Sequence, residues 1–161
     1  MATHVIEIDP FNPFSIIAAE RQARQLISDF NRKVDEFIRE IAEIGARAAR
    51  GAYGSAVTVT VEEIDNGLAI NANGKAVVFM EFGAGSAVDS SNRFASVVEQ
   101  EGGFDIRPGS WSEQHAHQYE RLGYWVFGGQ KYYEVQPVNG MEKAYEAIMQ
   151  DMRNAATKVF G

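Results

Sequence analysis

The chain has 161 residues, 45% of them hydrophobic and 23% charged, which is the balance of an ordinary globular protein with enough length to bury a core. Its formal net charge of -7 gives no overall electrostatic drive toward nucleic acid or an anionic membrane. The absence of cysteine excludes disulfides, thiolate metal sites and cysteine nucleophiles together.

The opening stretch, MATHVIEIDPFNPF, has no basic segment followed by an apolar one, and no apolar run approaches the ~20 residues that cross a bilayer. The expectation is a soluble product of a reducing cytoplasm, or part of an assembly built there. Over 13–50, Leu26, Phe30, Val34, Phe37, Ile41, Ile44 and Ala48 recur at spacings of three and four. Arg24, Arg32, Lys33, Asp35, Arg39 and Glu40 fall mostly on other faces, so the segment reads as an amphipathic helix. Asn12 before Pro13 offers a cap and a pre-organised first turn, and Gly51 with Gly54 offers a stop. Thirty-eight helical residues at ~1.5 Å each would reach roughly 57 Å. A compact domain of this size measures only about 40 Å across. Such a helix either kinks, with Gly45 the candidate, or extends past its own domain and needs cover from elsewhere.

Val57, Val59 and Val61 alternate with Thr58, Thr60 and Glu62, the pattern of a half-buried strand. Asp65, Asn66 and Gly67 turn the chain, and Leu68, Ile70 and Ala72 line one face of the return strand. The run AVVFMEFGAG follows at 76–85, where periodicity cannot separate a short buried helix from a buried strand. Residues 85–120 are rich in Gly, Ser, Asp and Asn and read as a long, partly flexible loop. A second hairpin is predicted from 124–127 and 131–135 around Gly128-Gly129. Met141, Ala144, Tyr145, Ile148, Met152 and Ala155 then repeat at helical spacing, with Asn139 and Glu142 placed as a capping box. The sum is a single α+β domain. A long N-terminal helix and a C-terminal helix pack on an antiparallel sheet of two β-hairpins, preceded by an arm at 1–12.

Several residues carry possible chemistry. Glu81, alone in an apolar run, could be a general acid, but Glu99, Glu101, Asp105 and Glu120 offer no partner at a defining separation. The plainer reading is a carboxylate that caps a turn or pairs across a contact. Gly83-Ala84-Gly85 lacks the third glycine of a dinucleotide loop and the lysine of a phosphate loop, and reads as a sharp turn. His115 and His117 could hold a metal with Glu113 or Glu120, although two loop histidines without a fixed third ligand are commonplace. Trp111, Tyr124, Trp125 and Tyr132 lack the basic neighbours of a base-stacking platform and read as core or interface aromatics. No nucleophile elbow or Ser-His-Asp set is legible. The expectation is therefore a protein without cofactor or catalytic residues. Two alternatives stand beside it: a small metal- or carboxylate-dependent hydrolase using His115, His117 and Glu81, and a generic protein-binding module.

The ordered features resemble the neck and tail-completion (head-tail joining) proteins of long-tailed bacteriophages, the HK97 gp10-like group. The resemblance rests on the long first helix, the hairpin, and the segment Ala76, Val77, Val78, Phe79, Met80, Glu81, Phe82, Gly83, Ala84, Gly85, similar to A-x-x-x-E-F-G-T/A-G. Gly123-Tyr124-Trp125 matches the later strand, while Pro137, Gly140 and Met141 stand where that family often has Pro-Phe. The resemblance implies a non-enzymatic virion protein forming a homo-oligomeric ring, often a hexamer. Its partners would be the head connector or head-completion proteins and the tail terminator or tail-tube proteins. Glu81, Phe82, Gly83 and Gly85 would act at a structural joint or interface. DNA would pass the ring's acidic lumen without specific binding, since phosphate contacts need basic neutralisation.

Overall fold

The computed structural model describes residues 5–9, 11–74, 77–83, 89, 91–96, 125–127, 130–132 and 135–161, with backbone alone at 125–127 and 130–132. The fold is α+β. The elements in chain order are α1 (Pro13–Tyr53), a single 3-10 turn (Gly54–Ala56), β1 (Thr58–Ile64), β2 (Gly67–Asn73), α2 (Val77–Phe82), β3 (Trp125–Phe127), β4 (Gln130–Tyr132) and α3 (Gly140–Phe160). The chain divides into two compact units, one of Met1–Ile41 with Asp151–Gly161 and one of Ala42–Gln150.

Helix α1 starts where its sequence signals place it. The Asn12 side chain accepts a hydrogen bond from the Phe14 amide at 3.0 Å, and Pro13 occupies the position whose amide would have gone unused. Gly51 does not end the helix. It continues to Tyr53, and Gly54, with φ of 61°, supplies the left-handed residue that stops it. Gly45 lies within the element. A methyl group there would come within 2.7 Å of the terminal carbons of both Ile148 and Ile70, so this glycine serves close packing.

In the unit Ala42–Gln150, the buried core is Ala46, Ala49, Tyr53, Val57, Val59 and Ala144, with Ile70, Ala72, Met80 and Val138 packed around it. Small residues on α1 let α3 and the first hairpin approach the helix closely. That hairpin pairs Thr58 with Asn73 through to Ile64 with Gly67, and its apolar alternation faces the core. The second hairpin pairs Trp125 with Tyr132, Val126 with Lys131 and Phe127 with Gln130. The two hairpins form separate two-stranded sheets among the described residues rather than one sheet.

In the other unit, Phe160 near the end of α3 packs on Phe30 and Phe37, with ring centroids 6.1 and 5.9 Å apart. Lys158 meets Glu40 at 2.8 Å. No described helix is long and apolar enough to cross a membrane.

Candidate functional site: a buried carboxylate clasp

The run AVVFMEFGAG resolves at its centre into α2, a helix of six residues. So short a helix cannot stand alone. Its ends are held from outside. The Val77 amide donates to the Gly74 carbonyl at 3.3 Å. At the other end Gly83, with φ of 78°, donates to the Phe79 carbonyl at 2.8 Å. The Met80 and Phe82 carbonyls accept from the amides of Val138 at 2.7 Å and Asp89 at 2.8 Å. Phe79 and Phe82 are buried, and each contributes on the order of 2–3 kcal/mol of hydrophobic free energy.

Glu81 is only 4% exposed, yet it is a carboxylate in an apolar setting. Every lone-pair direction it has is used. Its Oε2 accepts from the Tyr53 hydroxyl at 2.6 Å and the Met141 amide at 2.9 Å. Its Oε1 accepts from the Asn92 side-chain amide at 3.0 Å and the Glu142 amide at 3.1 Å. Two of these donors are first-turn amides of α3, where unpaired N–H groups and the helix dipole favour negative charge. One side chain therefore gathers the end of α1, the segment 91–96 and the start of α3.

The expected capping box does not form. Asn139 has φ of 51°, and its side chain donates to Asp89 Oδ2 at 3.1 Å instead of accepting from α3. Its Oδ1 is buried without a partner among the described residues. Glu142 faces Arg93 at 3.7 Å, and the Arg93 guanidinium lies 3.7 Å from the centre of the Tyr145 ring. A charged carboxylate binds helix amides more strongly than a neutral amide oxygen does, so Glu81 takes the cap.

The supporting groups are fixed in turn. The Asn92 Oδ1 accepts from the Phe94 amide at 2.9 Å, locking the side chain that reaches Glu81. Gly140 leaves room for the Tyr53 ring, which a side chain at 140 would strike. Burial pushes the Tyr53 hydroxyl well above the usual phenol range, and the hydrogen bond to Glu81 and its charge add to the effect. Asp89 is held below the usual carboxylate range by hydrogen bonds, first from the Ser91 side chain and then from Asn139. A depression of about 240 Å³ lies beside the clasp, lined mainly by apolar side chains including Ile70, Val77, Phe82 and Phe94.

A carboxylate that exchanges protons with a substrate must reach it. Glu81 instead spends all four contacts on its own chain, and this arrangement holds elements together. Phe82 is buried beside Ala95, and Gly83 makes the exit turn from α2. Gly85, Trp111, Tyr124, His115 and His117 lie outside the described residues, as do Glu113 and Glu120. The backbone opposes Trp125 and Tyr132 across the second hairpin. Among the described residues no cluster of three His, Asp or Glu side chains could hold a metal.

Tyr53, Asn92 and Asp89 were not singled out by the sequence. Tyr53 reads there as one more residue of a long helix, and Asn92 as a loop residue. The Asp89-Ser90-Ser91-Asn92 run does carry a local signal, since such side chains favour turns that bond their own backbone. The Ser91 and Phe94 amides make bonds of that kind. No protein-family model matches this chain, and no curated protein or solved structure matches it either.

Proposed function

We propose that this chain is a structural subunit of a tailed-phage neck, a tail-completion or head-tail joining protein that works as a ring between head connector and tail. The observation that carries the reading is the E-F-G segment and its use. Glu81 caps α3, Phe82 fills the core, and Gly83 takes the left-handed turn that ends α2. A motif of this composition is then explained by joining elements, with no reaction required of it. The long first helix, the hairpin and the C-terminal helix follow in the order that the resemblance requires. The net charge of -7 suits a ring whose lumen lets DNA slide without adhering.

Disrupting the gene in the genome that carries it tests the role. The expected outcome, seen by electron microscopy of the lysate, is DNA-filled heads and complete tails that fail to join. Joined, infectious particles lacking this chain would refute the proposal.

A further inference from the structure

Three asparagines in this chain precede glycine: Asn66-Gly67, Asn73-Gly74 and Asn139-Gly140. The pair is chemically labile, because glycine puts no side chain in the way of its own amide nitrogen as it approaches the asparagine Cγ. Local sequence treats the three alike, and the fold does not. Asn139 is half-buried, and its side-chain nitrogen, the group that must leave, donates to Asp89 Oδ2 at 3.1 Å. Gly140 is buried at the start of α3, so close on the Tyr53 ring that a Cβ there would strike it. Its peptide cannot swing toward the Asn139 side chain without displacing Tyr53 or α3. Asn73 and Gly74 are exposed, but the Gly74 backbone is held on two sides. Its carbonyl accepts the Val77 amide at 3.3 Å, and a Cβ there would stand 3.1 Å from the Ala56 carbonyl. Asn66 has neither restraint. It is exposed in the turn of the first hairpin, and nothing lies within 4 Å of where a Cβ of Gly67 would stand. Ile64 with Gly67 is the last pair of the β1–β2 ladder, and end pairs open at little cost.

We infer that Asn66 is a site of spontaneous deamidation, and that the turn of the first hairpin is where this chain takes up isoaspartate. The Gly67 amide nitrogen gives up its proton to base and bonds to Asn66 Cγ. The Cγ–Nδ2 bond breaks, and Nδ2 leaves as ammonia. One water then opens the five-membered succinimide that remains. Breaking the new bond from nitrogen to Cγ leaves aspartate in an ordinary main chain. Breaking the older bond, from nitrogen to the main-chain carbonyl carbon of residue 66, leaves isoaspartate, with the main chain routed through the former side chain. Water is the only co-reactant, and nothing is oxidised or reduced. Either product adds a negative charge at the hairpin end that already exposes Glu63 and Asp65. Isoaspartate also adds one carbon to the backbone of a two-residue turn, and that turn sets the register from Ile64–Gly67 to Thr58–Asn73. The same reaction at Asn139 would set a carboxylate against Asp89, where the amide now donates. The fold thus leaves the hairpin turn open to the reaction and holds the reactive pair beside the Glu81 clasp closed to it.

The test holds the purified full chain in warm, mildly alkaline buffer, samples it over days, and reads each pair by peptide mass spectrometry with electron-transfer fragmentation, which separates isoaspartate from aspartate. In the folded chain Asn66 should convert roughly tenfold or more faster than Asn139, with Asn73 between them. In urea, where no fold restrains the pairs, the three rates should come within about threefold of one another. Conversion at 73 or 139 that keeps pace with 66 in the folded chain, an ordering that urea leaves intact, or no conversion at 66 would overturn the inference. None of these outcomes bears on whether heads and tails join, so the neck role is judged separately.

Discussion

Two stretches of α1 use the same helical rhythm to opposite ends. At 42–53 the inward residues are small: Ala42, Ala46 and Ala49 are buried, Gly45 has no room for a methyl group, and Tyr53 ends the run against Gly140. At 13–32 only Ala19 is buried, and the large residues Phe14, Ile16, Ile17 and Ile27 stand in water. Small residues mark where the chain has brought its own elements close. Large exposed ones mark where it has not. Periodicity therefore reports that a face will be covered, and side-chain size reports whether the chain covers it.

The comparison breaks most severely at Glu81. Glu81→Ala leaves the Tyr53 hydroxyl, the Asn92 amide and two α3 amides without their acceptor. Urea unfolding should show a loss of about 3–5 kcal/mol in the unit Ala42–Gln150. A loss under ~1 kcal/mol would mean that the clasp is ornamental. Gly45→Ala gains helix propensity of ~1 kcal/mol but pushes on Ile148 and Ile70, for a net loss of about 1–2 kcal/mol. The same change at Gly51, where nothing lies within 4 Å, should stabilise by about 0.5–1 kcal/mol. If both glycines respond alike, close packing is not what distinguishes the inner stretch.

Tyr53→Phe should cost about 1–2 kcal/mol at neutral pH through the lost hydrogen bond to Glu81. It also changes the alkaline limb. A phenol raised in the folded state adds stability that is fully present below its unfolded pKa of about 10 and is lost as pH rises past it. Wild type should therefore lose stability above about pH 10 more steeply than Tyr53→Phe, as thermal unfolding across pH 8–11 would record. Parallel curves would place the ionisation elsewhere. The smallest expected effect is Ile27→Ala in the outer stretch, within about 0.5 kcal/mol for the dilute protein.

Much of the fold was legible because its signals are local. Asn12 and Pro13 announce the start of α1, and alternating valines announce β1. Helix α2 was ambiguous, since six residues with Phe79, Glu81 and Phe82 all buried show no periodic face. The cap of α3 was hidden for another reason. Its acceptor lies 60 residues from Met141 in the chain, while Asn139 offered an adequate local cap that the fold does not use. Glu81 stood out in the sequence as a lone carboxylate among apolar residues. Which donors surround it is a property of tertiary packing, and no spacing rule reaches that far.

Hydrogen exchange along α1, followed by mass spectrometry in dilute protein, compares the two stretches directly. Peptides from 42–53 should be protected. Peptides from 13–32 should exchange rapidly. Equal protection of the two stretches would contradict the account.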